Sequence, residues 1–94
     1  MKICGHRLLI VEDEPLLRIT MADALRKEGW VVDVAEDGVK GAALFEQHQH
    51  DLVLTDLVMP KLGGIELLKR IKELCPDTTV VIITAHGTVD RAIG

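Results

Sequence analysis

The sequence predicts an α/β fold built on a doubly wound parallel sheet, and three observations lead to this expectation. Apolar runs of strand length alternate along the chain with segments in which apolar residues recur at helical spacing. Several of these runs are continuously apolar, as expected of parallel strands that are covered on both faces. A helical segment separates each pair of consecutive strands, which favours right-handed β-α-β units.

The first of these units joins the strands Leu8–Val11 and Val31–Ala35. Pro15 stands where the first residue of the intervening helix is expected, a position that suits the fixed φ of proline. Gly29 is placed to end that helix. The second strand is less uniformly apolar than the first, so we expect it to lie nearer an edge of the sheet.

The next unit contains a shorter helix. Asp37 and Gly38 mark a turn or the start of this helix, and its apolar spacing ends near His48. The third strand, Leu52–Thr55, then repeats the continuous apolar character of the first.

The last part of the chain contains a loop, a helix and a fourth strand. Residues 60–64 form the loop, and an apolar stripe at helical spacing follows until Pro76 halts the third helix. The fourth strand, Thr79–Thr84, is rich in β-branched residues. Residues 87–93 resemble the opening of a fourth helix, with Thr88 as a candidate N-cap.

Length and composition describe one small domain, which we take as residues 1–94. Apolar residues make up 48% and charged residues 28%, and the net charge of −4 argues against direct binding of nucleic acid. No apolar stretch approaches the roughly 20 residues of a membrane span. The N-terminus lacks the apolar core of a signal peptide, so we expect a cytoplasmic location. Cys4 and Cys75 lie far apart and are expected to be reduced thiols.

Carboxylates follow two of the apolar strands at the point where each strand ends. Glu12 and Asp13 follow the first strand, and Asp56 follows the third. If the strand order is 2-1-3-4, the winding reverses between these two strands, and ligands of such sheets bind there. Carboxylates brought together repel each other and favour a hard cation. We therefore predict a Mg²⁺ site with Asp13 and Asp56 as direct ligands, Glu12 reaching the ion directly or through water, and the backbone carbonyl of Val58 as a further ligand.

Such a site is suited to phosphoryl chemistry, because the metal neutralises charge on phosphoryl oxygens and a carboxylate can act as the nucleophile. Thr84, at the end of the fourth strand, could donate a hydrogen bond to a phosphoryl oxygen and move the loop that follows it. Each of these residues taken alone also fits a plainer role, as a helix cap, a solvated loop residue or a β-branched strand residue. The plainer role is expected for Thr78 and Thr79, and His48, His50 and His86 are expected at the surface rather than in a zinc site.

These residues resemble the receiver domain of bacterial two-component response regulators. The segments that carry the resemblance are Ile10-Val11-Glu12-Asp13-Glu14-Pro15, Leu54-Thr55-Asp56-Leu57-Val58-Met59-Pro60, Gly64, and Ile83-Thr84-Ala85. The resemblance implies a flavodoxin-like (CheY-like) receiver fold and a role as a phosphoacceptor module rather than an enzyme. It further implies Asp56 as phosphoacceptor, Glu12 and Asp13 as the metal-binding pair, Thr84 as switch hydroxyl, and the Ala85 backbone N–H as a phosphoryl donor.

By the same resemblance, the phosphoryl group would come from a phosphohistidine on a sensor histidine kinase. Residues 84–90 also resemble receivers of enhancer-binding transcription activators. The chain departs from the family pattern in ending within the fourth helix, without a fifth strand, a fifth helix or the lysine at the end of strand five. Lys61, Lys69 and Lys72 do not take that lysine's place, and Gly63 stands where many relatives carry Asp.

Two other functions are compatible with parts of this pattern. The first is an aspartyl phosphatase of the haloacid-dehalogenase type, but Val58 stands where that group carries a second Asp. The second is a switching-incompetent fragment that acts only as a dimerising module. For that alternative, we expect the apolar strand Val80–Ile83 to lie at an edge and to pair with another copy, unless the chain is part of a longer regulator. Flavin binding is not supported, because Glu12-Asp13-Glu14 would repel a phosphate after strand one.

Overall fold

The computed structural model describes residues 6–56 and 61–83, which form one parallel sheet and three helices. The strands are β1 (Arg7–Val11), β2 (Val31–Ala35), β3 (Leu52–Asp56) and β4 (Thr79–Ile83). The helices are α1 (Pro15–Lys27), α2 (Gly38–His48) and α3 (Gly64–Leu74). All three strand pairs are parallel and the order is β2-β1-β3-β4. The predicted α/β class is confirmed, and the observed strand order is the one that the predicted acidic site requires.

The helix ends follow the local sequence signals. Pro15 is the first residue of α1, and the Glu14 side chain caps this helix by accepting a hydrogen bond of 2.9 Å from the N–H of Leu16. Gly29, just beyond the end of α1, has a φ of 105°, a conformation that glycine adopts without strain. Asp37 caps α2 by accepting a 2.8 Å hydrogen bond from the N–H of Lys40.

The core lies on both faces of the sheet, with β1 between the two halves. Leu8 and Ile10 face α1, whereas Leu9 and Val11 face α2 and α3, and all four side chains are fully buried. This alternation follows from the two-residue period of a strand. Phe45 of α2 is the largest buried side chain. No helix of the described part of the chain is long and apolar enough to cross a membrane.

Two glycines allow α2 to pack unusually close to its neighbours. A Cβ on Gly41 would lie 2.7 Å from Cγ2 of the buried Val11, so α2 sits directly against β1. A Cβ on Gly38 would lie 2.1 Å from the carbonyl oxygen of Leu62. Because that neighbour is backbone, a side chain at position 38 would force the loop after β3 away from the start of α2.

The described sheet ends in β2 on one side and β4 on the other. Val34 of β2 is 38% exposed and Val81 of β4 is 41% exposed. The edge position expected for β2 is therefore confirmed. Val58, Thr84, Ala85 and the expected fourth helix lie outside the described residues, and self-association through Val80–Ile83 stays a prediction that light scattering can test.

The expectation that His50 lies at the surface is wrong, whereas His48 is exposed as expected. His50 is 1% exposed, its Nε2 lies 2.7 Å from Oδ2 of Asp33 in β2, and its ring stacks on Phe45 with 6.0 Å between centroids. Gln49, with a φ of 50°, turns the chain after α2 so that the next side chain points inward.

Thr78 also has a role that β-propensity alone did not predict. It is buried just before β4, and its hydroxyl donates a 3.4 Å hydrogen bond to the carbonyl of His50. The N–H of Thr79 donates to the carbonyl of Asp51. The segment that precedes β3 is therefore tied both to β2, through His50, and to the segment that precedes β4.

Burial lowers the pKa of His50, against the opposing effect of the neighbouring Asp33 carboxylate. The neutral ring then donates from Nε2 to Asp33, and Nδ1 finds no hydrogen-bond partner among the described residues. A protonated ring would be charged within the core. Because the unfolded chain binds this proton more readily than the folded protein, acidification favours unfolding.

We expect the free energy of unfolding to fall as the pH is lowered through the ordinary histidine pKa of 6.5, because His50 then takes up a proton on unfolding. The contribution of His50 should be fully present above that pH. His50→Gln keeps a donor for Asp33 and should flatten the dependence between pH 7.5 and 5.5, measured by urea unfolding. His48→Gln is the matched exposed control and should keep the wild-type slope; equal slopes for wild type and His50→Gln would contradict this account.

Candidate acidic site

Three carboxylates meet at the carboxyl ends of β1 and β3. Glu12 and Asp13 directly follow β1, and Asp56 is the last residue of β3. One oxygen atom from each of the three lies within 4.8 Å of the others. The structure thus brings together the three acidic residues that the sequence predicted to share a site, at the point where the strand order reverses.

The cluster is buried on one side and open on the other. Glu12 and Asp56 are buried, whereas Asp13 is exposed. The backbone of Glu12 continues the sheet beyond β1, since its N–H donates a 3.0 Å hydrogen bond to the carbonyl of Ala35. An ion or a reacting group can therefore approach from the Asp13 side.

Glu12 combines burial with incomplete hydrogen bonding. Its Oε2 accepts a 3.1 Å hydrogen bond from the N–H of Glu14, but its buried Oε1 has no hydrogen-bond partner in the described part of the chain. Burial raises the pKa of Glu12, and the nearby charges of Asp56 and Asp13 raise it further, while the Glu14 N–H acts in the opposite direction. A buried carboxylate oxygen without a donor, close to two other carboxylates, fits a hard divalent cation as a partner.

Two neighbours of the cluster were missed by the sequence analysis. The buried hydroxyl of Thr55 donates a 3.0 Å hydrogen bond to the carbonyl of Asp56, at the end of β3. The Nη1 of Arg18 donates a 2.8 Å hydrogen bond to the carbonyl of Glu12. The only sequence signal at Arg18 is a cation near the N-terminus of a helix, where it opposes the helix dipole, and that signal does not identify the partner.

A cavity of about 430 Å³ adjoins the exposed side of the cluster. Its lining is mainly charged and consists of Asp13, Pro15, Arg18, Glu36, Asp37 and Lys61. The Nζ of Lys61 lies 3.6 Å from Oδ2 of Asp37. The N–H of Lys40 lowers the pKa of Asp37, and the charge of Lys61 lowers it further, although burial acts against both. Acidic and basic groups therefore face each other across the mouth of the site.

The other residues that the sequence analysis singled out lie either outside the described residues or away from the acidic cluster. Val58, Thr84 and Ala85 lie outside the described residues, so their roles stay predictions. Gly63 is the N-cap of α3, and this helix starts without a side-chain cap because glycine has none to offer. Lys72 is at the far end of α3, where Nζ donates to the carbonyls of Pro76 and Thr78.

We expect Glu12→Gln to raise the free energy of unfolding of the metal-free protein at pH 7 by about 1 kcal/mol, because it removes a buried charge beside two other carboxylates. The raised pKa of Glu12 means that its stabilising contribution is present below about pH 4.5 and is lost as the pH rises through the raised pKa. Urea unfolding in EDTA, repeated with Mg²⁺, measures both the gain and the reduced metal stabilisation.

Glu46→Gln is the matched control, because Glu46 is exposed on α2. It should leave unfolding and its response to Mg²⁺ unchanged. A Glu12→Gln variant that is destabilised without metal, or stabilised by Mg²⁺ as strongly as wild type, would contradict the electrostatic account of the cluster.

Comparison with known proteins gives a consistent result. The family model described as "Response regulator receiver domain" matches residues 8–94. The chain is 38% identical over 89 residues to the transcriptional regulatory protein TrcR of Mycobacterium tuberculosis, covering 94% of this chain and 35% of TrcR. It is 37% identical over 90 residues to the chemotaxis protein CheY of Bacillus subtilis, covering 95% of this chain and 75% of CheY.

The fold is also similar to that of a response regulator of known structure. The response regulator protein TrrA of Thermotoga maritima, crystallised in complex with Mg(2+)-BeF, matches with a TM-score of 0.80 and 34% identity. The match covers 85% of this chain and 70% of TrrA. The chain spans little more than a third of the length of the mycobacterial regulators TrcR and TcrA, 35% and 37% respectively.

Proposed function

Because the chain belongs to the response regulator receiver domain family, we propose that it accepts a phosphoryl group on the carboxylate of Asp56, with Mg²⁺ held by the acidic cluster. The observation that supports this most strongly is the cluster itself. Three carboxylate oxygens lie within 4.8 Å of one another, and one buried oxygen of Glu12 lacks a donor among the described residues. Bound Mg²⁺ would offset this mutual repulsion and neutralise charge on phosphoryl oxygens.

The three acidic residues would have different roles. Glu12 and Asp13 would hold the ion, Glu12 from the buried side and Asp13 from the solvent side. A carboxylate oxygen of Asp56 would attack phosphorus and form a new P–O bond. The bond between phosphorus and the donor would break, and its electron pair would remain on the leaving atom, which solvent then protonates.

The donor proposed for this step is a phosphohistidine on a sensor histidine kinase. For that donor the broken bond is P–N and the leaving group is an imidazole. The Val58 carbonyl would complete the metal site, the Thr84 hydroxyl and Ala85 N–H would bind the phosphoryl oxygens, and movement of Thr84 would transmit the signal. These three roles rest on the family resemblance. A cytoplasmic location and control of transcription by an attached effector domain are proposals for the whole protein.

We expect intact mass spectrometry to show one added phosphoryl group after incubation of the chain with Mg²⁺ and a small phosphoryl donor. Asp56→Asn should abolish the addition, because an amide is a poor nucleophile, and EDTA should prevent it. Asp51→Asn is the matched control: Asp51 precedes the opposite end of β3 and accepts a hydrogen bond from the Arg7 N–H, which an amide oxygen can also accept. This variant should be modified like wild type.

Addition that persists in Asp56→Asn would place the modification elsewhere and contradict the proposal. So would the absence of any addition to wild type under conditions that phosphorylate a full-length receiver domain.

A further inference from the structure

We propose that Arg18 is a positioning residue for the acidic cluster, because its guanidinium holds the peptide group that carries Asp13. This inference rests on the proposed function, since its consequence is the affinity of the cluster for Mg²⁺. The contact that carries it is the 2.8 Å hydrogen bond from Arg18 Nη1 to the carbonyl oxygen of Glu12. That carbonyl belongs to the peptide group between the two predicted metal ligands.

Glu12 is held by hydrogen bonds at its N–H, its side chain and its carbonyl. Among the described residues, the hydrogen bond to the carbonyl comes from Arg18. The Glu12 N–H is bonded to the carbonyl of Ala35, and its side chain is bonded to the N–H of Glu14. These two contacts fix the residue on its N-terminal side and at its carboxylate. The contact with Arg18 sets the orientation of the peptide group that follows.

Asp13 depends on this peptide group more than Glu12 does. The Asp13 side chain is exposed, so core packing does not determine where its carboxylate lies. The backbone on either side sets the position of its Cα and Cβ atoms. On the far side, Glu14 caps α1 through the N–H of Leu16. On the N-terminal side of Asp13, Arg18 restrains the peptide group by its hydrogen bond to the Glu12 carbonyl.

Arg18 is itself held by the helix. Its N–H donates a 3.0 Å hydrogen bond to the carbonyl of Glu14, and its side chain is half-buried beside Asp13 and Glu36 in the lining of the 430 Å³ cavity. The restraint therefore runs from α1 directly to the loop that bears the ligands. Groups that orient metal ligands typically contribute 10- to 100-fold to metal affinity.

The charge of Arg18 has the opposite effect on the ion. A guanidinium beside the cluster repels a divalent cation, so loss of the charge alone would tighten Mg²⁺ binding. Loss of the restraint would weaken binding. The sign of the change in the dissociation constant therefore separates a positioning role from a purely electrostatic one.

The test is the Mg²⁺ dissociation constant of Arg18→Gln, measured by NMR titration of the amide signals of residues 12–14. We expect it to rise about tenfold, with a displaced Asp13 amide signal already present before metal is added. Arg26→Gln is the matched control. Arg26 lies on the same helix and also donates to a backbone carbonyl, with 2.9 Å from Nη2 to the oxygen of Val32, at the other end of β2. Its loss should leave Mg²⁺ binding unchanged.

Arg18→Lys keeps the charge and an N–H donor group, and it should recover part of the lost affinity. Binding in Arg18→Gln that is unchanged or tighter than in wild type would overturn the positioning role while leaving the proposed function intact. An equal loss in Arg18→Gln and Arg26→Gln would also overturn it, by showing a general effect on the fold. A wild-type protein that binds no Mg²⁺ would contradict the proposed metal site itself, and the role of Arg18 with it.

Discussion

Strand β1 is paired on both edges and buried on both faces, and the remaining structure is arranged around that constraint. β2 and β3 lie on its two sides, α1 covers one face, and α2 and α3 cover the other. Val11 and Glu12 are both fully buried, and the chain reaches solvent only at Asp13. A carboxylate is therefore placed at the last point that the packing allows, next to the end of β3 and Asp56. The acidic site is a direct result of how the central strand is enclosed.

The fold tolerates an unfavourable electrostatic arrangement at this point. Glu12 is buried beside two other carboxylates, with one oxygen lacking a donor in the described part of the chain. Such an arrangement costs stability, and stable proteins keep it mainly where it serves function. The apolar core on both faces of β1 supplies the compensating stability. The loop after β1 is held by hydrogen bonds of 3.1 and 2.8 Å.

Much of this architecture was predictable because it depends on local patterns. Apolar periodicity located the strands, and Pro15 and Gly29 marked the limits of α1. The acidic cluster was predictable because topology brings strand ends together. The contacts of His50 and Arg18 could not be predicted from the sequence. His50 meets Asp33 of a different strand, and Arg18 meets a backbone carbonyl, which every residue offers. Neither pairing leaves a periodic signal, because both depend on three-dimensional packing.

The close approach of Gly38 to Leu62 affects how the sequence around the site can evolve. Any larger residue at position 38 would meet the backbone of the loop after β3, so side-chain changes at position 62 cannot make room for it. Compensation would have to come from a change in loop length or path. Position 38 should therefore stay glycine among homologues that keep this loop, and it should vary only where the loop itself has been rebuilt. Two segments that are distant in sequence are in this way constrained to change together.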